Sequence, residues 1–368
     1  MKIIYIANMR LPTEKAHGIQ IMKTCEALAD SGCVVELLVP WRFNKIKDDP
    51  FRYYGVKNNF KIIRIPSADF VWLGRAGFLV HALIFSKIAV IYSLFKRSGI
   101  IYSRDEMPLY LASFFKKNIF WETHVGNFNF FAKRLIRRCK GIVAIAGGLK
   151  KFYEDKGVSA DKIVVAPDGI DLGDFSKNFD KAESRKRLGL PLDKKIAMYI
   201  GRLDGWKGAE TLLETSKLLP EVLFVVIGGE AGQIAQVDKK YPRVSFLGQR
   251  PYREIGENQA VADVLVLPNT GKDKVSVGFT SPLKLFSYMA SARPIVASDL
   301  PSIREVLTDE EAYFAAPDDP VSFAEKIKSA FENYGTAKEK AVKALEKVKN
   351  YQWKNRAETI LNFIKKKI

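Results

Sequence analysis

Two short segments in the second half of the chain combine residues that suit a diphosphate. The first reads GRLDGWKG over residues 201–208; it follows an apolar stretch and places Arg202 and Lys207 five positions apart. The second reads TSPLK over residues 280–284 and begins another predicted helix behind hydroxyl-bearing side chains. Backbone N–H groups at the start of a helix attract anions, and fixed cations add to that attraction. The two segments therefore predict a site for a nucleotide-activated substrate.

Polar side chains also follow predicted strands in the first half of the chain. His124 ends the segment WETH, and Glu122, two positions earlier, either orients this histidine or caps the next segment. Arg104 and Asp105 follow another strand, where they either meet an acceptor or form surface ion pairs. Open parallel sheets bind ligands beyond the carboxyl ends of their strands, which favours a binding role for His124 over a purely structural one.

Glycines mark further turns that a ligand could approach. Gly18 lies near the start of the first long helix, where it either lets the backbone approach a phosphate or serves turn geometry. Gly229 and Glu230 follow a strand of the second half, and Arg250 follows the next strand along the chain. Each of these positions is a weak signal by itself.

Short apolar runs alternate with amphipathic stretches along the chain, which predicts two successive α/β domains. In the first, strands are predicted at residues 3–7, 34–39, 62–65, 100–102, 119–121, 142–145 and 163–166. In the second, strands are predicted at residues 196–200, 222–227, 244–247, 264–267 and 295–297. Because these runs lack internal alternation, the strands must be buried on both faces, as in parallel sheets covered by helices. A polar stretch after residue 170 places the boundary between domains of residues 1–170 and 171–351.

Composition excludes several classes of protein. A length of 368 residues with 47% apolar residues is enough for two cores. No GxGxxG segment follows the first strand of either domain, so neither is predicted to be the dinucleotide-binding half of a dehydrogenase. The three cysteines and three histidines show no metal-ligand spacing, so we expect no metal site and a reducing compartment.

The chain is strongly basic, with a formal net charge of +18. Residues 1–180 carry 28 Lys and Arg against 17 Asp and Glu, so the excess is heavier in the first half. This charge favours phosphorylated substrates or acidic lipids as partners, and solubility alone is the alternative explanation. Common nucleic-acid-binding motifs are missing from the sequence, and nucleic acid is not predicted as a partner.

Residues 70–95 form the most apolar segment. Arg75 and Lys87 interrupt it, and the longest charge-free run is shorter than the roughly 20 residues that a membrane span needs. We therefore expect a helix of the core. The alternative is an interfacial patch, formed by Trp72, Phe78 and Leu79 beside Lys96 and Arg97. The opening residues contain no secretory signal, so a cytoplasmic location is expected.

With the motifs GRLDGWKG and SPLKLFSYMASARPIVASDLPSIREVL in this order, the chain resembles the retaining glycosyltransferases of family 4, the group 1 glycosyltransferases. The resemblance covers essentially the whole chain and is strongest over residues 196–308. It implies the GT-B fold, in which two Rossmann-like doubly wound α/β domains face a cleft. It also implies that the C-terminal helix, residues 352–368, packs back on the first domain.

The resemblance assigns roles to most of the residues above. Arg202 and Lys207 would stabilise the charge on the departing diphosphate, and His124 would contact the transferred sugar; these three are the catalytic candidates. The donor-binding candidates are Gly18, Gly229, Glu230, Arg250, Thr280, Ser281, Pro282, Leu283, Lys284 and Ser287. The acceptor-side candidates are Arg104, Asp105 and Glu122. Lys284 points either to the phosphates or to solvent.

One helix departs from the family pattern. The family has two glutamates eight positions apart, of which the second holds the ribose hydroxyls; here those positions are Phe279 and Ser287. Weaker donor binding, a different donor or loss of activity would each follow from this change. Asp273, Glu254 and Glu230 are nearby acids that would have to substitute for the missing carboxylates.

The sequence therefore predicts a glycosyltransferase that moves a sugar from a donor such as a UDP- or GDP-sugar to a hydroxyl group, with retention of configuration. By the resemblance, neither a metal nor another cofactor is needed. The expected acceptor is a carbohydrate or a lipid-linked molecule of cell-envelope synthesis, with peripheral contact at the inner face of an anionic membrane. The alternatives are a non-catalytic nucleotide-sugar-binding scaffold, favoured by Phe279 and Ser287, and a nucleotide-sugar epimerase on the same fold.

Overall fold

The computed structural model describes residues 1–96, 99–175, 179–203 and 205–368, without the side chain of Trp206. The chain forms two compact units: Met1–Asp168 together with Trp353–Ile368, and Gly169–Gln352. These bounds differ from the predicted domain bounds by one or two residues. The predicted residue Arg97, and Asp204 of the first motif, lie outside the described residues.

The first unit is built on a parallel sheet of seven strands, in the order β3-β2-β1-β4-β5-β6-β7. The strands are β1 (Lys2–Ile6), β2 (Val34–Pro40), β3 (Lys61–Ile65), β4 (Ile100–Ser103), β5 (Ile119–Thr123), β6 (Gly141–Ala144) and β7 (Ile163–Val165). Each of them overlaps a predicted strand, since a strand buried on both faces has a continuous apolar sequence. The predicted α/β class with parallel, doubly wound sheets is confirmed.

Helices cover both faces of this sheet. They are α1 (Ala16–Asp30), α2 (Pro50–Tyr54), α3 (Gly74–Leu94), α4 (Glu106–Ala112), α5 (Phe130–Arg138) and α6 (Gly147–Glu154). The helices of the second unit itself are α7 (Lys181–Arg187), α8 (Ala209–Leu218), α9 (Ala231–Asp238), α10 (Ile255–Ala260), α11 (Leu283–Ala290), α12 (Pro301–Arg304), α13 (Pro320–Glu332) and α14 (Tyr334–Val348). The terminal helix, α15 (Trp353–Lys367), belongs to the first unit.

Helix α15 packs on α1 and β6. The Phe363 ring meets the Phe120 ring edge to face, with centroids 6.1 Å apart. A Cβ at Gly141 would lie 2.4 Å from the Phe363 ring, so this close approach of helix to strand requires the glycine. The last helix of the chain thus completes the layer over the first sheet.

The second unit has a parallel sheet of six strands, in the order β10-β9-β8-β11-β12-β13. Its strands are β8 (Lys195–Ile200), β9 (Val222–Ile227), β10 (Val244–Phe246), β11 (Val264–Leu267), β12 (Ile295–Ser298) and β13 (Tyr313–Ala315). Strand β13 was not predicted from the sequence. Buried side chains from β8, β11 and β12 form the core beneath α11 and α14.

Neither motif helix begins at the first residue of its motif. A 3₁₀ turn, Gly205–Lys207, lies within the first motif, and α8 begins only after Gly208. Gly208 has a φ of +70°, and a Cβ there would lie 1.6 Å from the carbonyl oxygen of Pro268, so this bend excludes any side chain. Helix α11 begins at Leu283, behind a π-helical turn (Val275–Phe279), with Pro282 at its N-cap and no capping side chain.

The apolar segment Val71–Phe95, which contains α3, is the one stretch among the described residues that is long and apolar enough to cross a membrane, with a mean hydropathy of 2.0. Length and composition alone also fit a core helix, and 39% of its most apolar window is buried. The predicted core helix is therefore observed for one face of α3 only. One face of α3, including His81 and Phe85, is buried, and the opposite face is exposed.

Candidate functional site

Each sheet reverses its strand order at one place, and the candidate residues gather there. In the second unit the reversal lies between β8 and β11; the first motif follows β8, and the second follows β11. In the first unit it lies between β1 and β4. Arg104 and Asp105 follow β4, and His124 follows the neighbouring strand β5. Such switch points leave a crevice at the carboxyl edge of a sheet, where ligands bind.

Tyr199 joins the two motifs of the second unit. Its hydroxyl donates a 2.7 Å hydrogen bond to the carbonyl of Arg202, and a Cβ at Gly201 would lie 2.5 Å from the same hydroxyl. The Lys284 ammonium stands over the Tyr199 ring, 4.4 Å from its centroid. A single buried ring therefore supports the Arg202 loop on one side and the start of α11 on the other.

Lys284 lies in the first turn of α11 in the second unit. Its nitrogen is buried and, among the described residues, has no hydrogen-bond partner. Burial, reinforced by the charge of Lys207, holds the pKa of Lys284 well below its ordinary value. Lys284 thus does not point to solvent, which was one of its two predicted orientations. Arg202 itself is exposed and Lys207 half-buried.

The turn after β9 approaches the first motif through glycines. Gly228 has a φ of +120°, and a Cβ there would lie 2.1 Å from the carbonyl oxygen of Gly201. A Cβ at Gly229, whose φ is +82°, would lie 2.7 Å from Leu203. Glu230 forms a capping box with Gln233 at the start of α9. The glycines therefore allow the two loops to touch, and the glutamate is used by its own helix.

The Ser287 hydroxyl makes two hydrogen bonds inside the protein, and we call it and its donor Gln259 the closed Ser287–Gln259 pair. It accepts a 2.9 Å hydrogen bond from the Gln259 amide and donates one, also of 2.9 Å, to the carbonyl of Lys284. Ser287 and Gln259 are both buried. The side chain that stands in place of the family's ribose-binding glutamate is therefore satisfied within the protein.

The three acids named as substitutes for the missing glutamates are engaged elsewhere. Asp273 accepts from the backbone N–H of Val275 at 2.7 Å and so begins the π-helical turn. Glu254 pairs with Arg187 at 3.6 Å, and Glu230 caps α9. None of these contacts points to a sugar or a ribose. Arg250 lies exposed beyond β10, and Thr280, Ser281 and Pro282 are buried where the chain enters α11.

In the first unit, Glu122 is the centre of a buried polar network. Its Oε1 accepts from the Gln20 amide at 2.7 Å and lies 2.6 Å from Nε2 of His124. Its Oε2 accepts from the Tyr102 hydroxyl and lies 3.0 Å from the Arg356 guanidinium. Burial opposes the charge of Glu122, but Arg356 and the hydrogen bond from His124 outweigh it, so that the pKa of Glu122 lies well below its ordinary value.

His124 is held by this network as a neutral ring. Burial, together with the positive charge of Arg104, lowers the pKa of His124 to about 4 despite the hydrogen bond to Glu122. Because the ionised carboxylate accepts, Nε2 carries the proton and Nδ1 keeps its lone pair. The geometry corresponds to the orienting role considered for Glu122. Full burial leaves this carboxylate no exposed surface for an acceptor.

Arg356 brings α15 into the network. Its guanidinium is 2% exposed and also lies 3.8 Å from the carboxylate of Asp168. Burial raises the pKa of Asp168 to about 6, against the opposing effect of Arg356. Residues from the two ends of the first unit's sequence therefore meet beneath His124.

Arg104 and Asp105 occupy different environments. Arg104 donates a 2.9 Å hydrogen bond to the Gln20 side chain and so borders the network of Glu122. Asp105 is well shielded and accepts a 2.6 Å hydrogen bond from the backbone N–H of Asn8, which joins the loops after β1 and β4. Neither environment matches the surface ion pairs that were the alternative prediction for these two residues. Burial and the charges of Arg104 and Lys15 lower the pKa of the neighbouring His17 to about 4.

Gly18 lies in the first turn of α1, and close packing explains why this position needs a glycine. A Cβ at this position would lie 2.1 Å from the Tyr54 hydroxyl and 2.8 Å from Thr13. The Tyr54 hydroxyl needs this space because it accepts from the N–H of Thr13 at 2.7 Å and donates to the Thr13 carbonyl at 2.8 Å. This contact fixes the loop before α1.

Three residues of these clusters were not anticipated from the sequence. Tyr199 and Arg356 give no signal, because a tyrosine in a strand and an arginine in a basic helix are ordinary. Asn269, two residues after β11, is completely buried, and neither atom of its amide has a hydrogen-bond partner among the described residues. For Asn269 the sequence offered one sign, which is a polar residue at the end of an apolar run, in the segment LPN.

Comparison with known proteins shows what the chain is similar to. Residues 194–333 match the family model described as glycosyl transferases group 1. A Bacillus subtilis (strain 168) protein named for teichuronic acid biosynthesis, the glycosyltransferase TuaC, is 28% identical over 211 residues, which are 57% of this chain and 51% of that protein. The match thus spans about half the length of this curated relative.

Solved structures match along the whole chain. Sucrose-phosphate synthase from Thermosynechococcus elongatus superposes with a TM-score of 0.81 at 18% identity, over 99% of this chain and 98% of that one. HepE from Anabaena, solved in complex with UDP-glucose, gives a TM-score of 0.79 at 16% identity over 100% of both chains. These likenesses establish the two-domain GT-B fold. The match to the group 1 glycosyltransferases is confined to residues 194–333.

Proposed function

We propose that the chain transfers a sugar from a nucleoside-diphosphate sugar to a hydroxyl group, with retention of anomeric configuration. The observation that carries this proposal is the Lys284 ammonium, which is buried and without a partner among the described residues, beside Lys207 at the switch point of the second sheet. A buried cation without an acceptor is costly. Diphosphate oxygens would supply the missing acceptors and the opposite charge.

Arg202, Lys207 and Lys284 would act on the leaving group. Breakage of the anomeric bond leaves a negative charge on the diphosphate, and cations already in place stabilise this charge without reorganisation. Arg202 contributes a planar fork of donors, and the two lysines contribute point charges. In this proposal the three side chains make a metal ion unnecessary.

His124 would act on the transferred sugar. Its Nε2–H is committed to Glu122, so Nδ1 remains an acceptor for a sugar hydroxyl. A neutral imidazole is present at every pH well above 4, and the acceptor role therefore does not depend on pH in the neutral range. Glu122, held by Arg356, keeps the ring in one orientation.

The acceptor is proposed to be a lipid-linked or carbohydrate molecule of the cell envelope. An open groove of about 610 Å³ in the first unit is lined by Trp41, Ile84, Ile88 and Arg64, among other residues. Apolar walls with one cation suit an acceptor that joins a hydrocarbon chain to a phosphate. The name of the Bacillus subtilis relative and the UDP-glucose bound to HepE support envelope synthesis and a UDP-sugar.

The test is a titration of the full chain with UDP-, GDP- and ADP-sugars, with and without candidate acceptors, while released nucleotide and the anomeric configuration of the product are followed. We expect one donor class to bind and to turn over with a retained anomer, also in the presence of a chelator. Binding without turnover across acceptors would instead support a scaffold, an alternative that the closed Ser287–Gln259 pair favours. Failure to bind any nucleotide sugar would refute both.

A further inference from the structure

The exposed side of α3 is an apolar surface of unusual extent. Trp72 in the turn before the helix is 79% exposed, and Phe95 at its end is 85% exposed. Between them the exposed large apolar side chains are Leu73, Phe78, Leu79, Val80, Leu83, Ile91 and Leu94. Monomeric soluble proteins rarely expose a continuous apolar patch of this kind, so the patch indicates an interaction site.

The neighbouring helices extend this surface. Helix α3 packs on α4, and α4 packs on α5. Phe114 and Phe115 after α4, and Phe130 at the start of α5, are all exposed. The Tyr110 ring contacts Phe114 at 5.2 Å and Phe130 at 6.5 Å, which places these rings in one cluster. We call the exposed side chains from Trp72 to Phe95, together with Phe114, Phe115 and Phe130, the α3–α5 face.

Cations outnumber acids around the α3–α5 face, in which Glu106 of α4 accepts a 2.9 Å hydrogen bond from the Asn129 amide, next to Phe130. The sequence contains no Asp or Glu from residue 70 to 104 or from residue 123 to 153. The guanidinium groups of Arg134 and Arg138 stand over the Phe130 and Phe114 rings, at 3.5 and 4.1 Å from the centroids. The other described basic residues of α3, α5 and the segments that follow α3, α4 and α5 are Arg75, Lys87, Lys96, Lys116, Lys117, Lys133, Arg137 and Lys140.

This combination selects one kind of partner. Aromatic rings beside lysine and arginine match the boundary between acyl chains and negatively charged headgroups. A second copy of the same face would bring its cations against like charge, which disfavours self-association. A membrane span would require α3 to leave the sheet, although His81 and Phe85 on its other side are completely buried. The face therefore fits a bilayer that it lies on rather than crosses.

We propose that the α3–α5 face binds the surface of an anionic phospholipid bilayer, with Trp72, Phe95 and Phe115 inserted below the headgroups and the surrounding cations paired with them. This inference does not depend on the proposed sugar transfer, because it concerns a surface that takes no part in donor binding.

The test is sedimentation of the full chain with vesicles. We expect the protein to bind vesicles of phosphatidylglycerol mixed with phosphatidylcholine, to bind pure phosphatidylcholine much less, and to be released by high salt. Replacement of Trp72 and Phe95 by serine should lower the bound fraction at least about tenfold, as should Arg75→Gln with Lys117→Gln. Val321→Ser with Val342→Ser, at exposed apolar positions of the second unit, is the matched control and should change nothing.

Two results would overturn the proposal. One is equal binding, or none, to both kinds of vesicle. The other is a concentration-dependent dimer in analytical ultracentrifugation that the Trp72 and Phe95 variant abolishes, since the face would then be an interface between copies. Thermal unfolding of each variant checks its fold. Donor binding in solution should be unchanged in all of them, which separates this test from that of the proposed function.

Discussion

The two units treat buried charge in opposite ways. In the first, Glu122 and Arg356 lie 3.0 Å apart, and Gln20, Tyr102 and His124 add hydrogen bonds to the same carboxylate. In the second, the Lys284 ammonium is buried against a tyrosine ring, beside another cation. The ion pair uses its attraction within the fold, although none of the three guanidinium nitrogens of Arg356 has a hydrogen-bond partner among the described residues. An unbalanced cation keeps its attraction for an anion, so the comparison separates a supporting network from a ligand site.

The largest effect is expected from the double variant Arg202→Ala with Lys207→Ala. If each cation contributes about 10²-fold to the rate, as one fixed donor to a developing charge does, kcat should fall about 10⁴-fold. Release of nucleotide from the donor measures this loss. The control is Arg243→Ala, an exposed cation of the same unit. Unchanged turnover would contradict the leaving-group role of the pair.

Replacement of Arg356 by methionine should open the closed network. Removal of one partner from a buried ion pair leaves the other charge uncompensated, which costs about 3–5 kcal/mol. Denaturant unfolding should show this loss of stability. Lys354→Met, at an exposed position of the same helix, should stay within about 0.5 kcal/mol of the parent protein. A loss no larger than that of the control would mean that the pair does not hold α15.

The network should also give stability a specific dependence on pH. The folded pKa of His124, about 4, lies below its unfolded value, so its contribution is complete above pH 6.5 and is lost as pH falls toward 4. Asp168 acts in the opposite sense, because its raised pKa of about 6 adds stability as pH falls through 6. Between pH 7 and 5 the parent should therefore lose up to about 2 kcal/mol more than His124→Gln, in which Asp168 is unchanged. Equal losses in the two proteins would contradict a neutral, buried His124.

A smaller effect is expected at Ser287. Ser287→Glu would restore a carboxylate where the family holds the ribose, at the cost of the bond from Gln259. We expect UDP to bind about tenfold more tightly, the value of one charged hydrogen bond. Ser291→Glu, at the end of the same helix, is the control. If affinity is unchanged, this position does not face the ribose.

The sequence predicts the strands of both sheets well, but it predicts the contacts between distant side chains poorly. Continuous apolar runs such as those of β8 and β11 can only be buried strands, so the place of Arg202 after β8 follows from the pattern. The pairing of Arg356 with Glu122 does not follow, because it depends on where a helix distant in sequence packs. Nor does the position of Tyr199 under Lys284, which requires the register of two neighbouring strands. Gly18 suggested a ligand, yet its neighbour is the Tyr54 hydroxyl.

The most direct test of the difference between the units is Lys284→Met. A methionine keeps much of the length of the side chain and removes a buried charge that has no acceptor among the described residues. We expect unfolding of the unliganded protein to require about 1 kcal/mol more, while UDP binding weakens at least tenfold. Lys338→Met, which removes an exposed lysine 5.1 Å from the centroid of the Tyr334 ring, should do neither. A Lys284→Met protein that is less stable and still binds UDP with the parent's affinity would contradict the account.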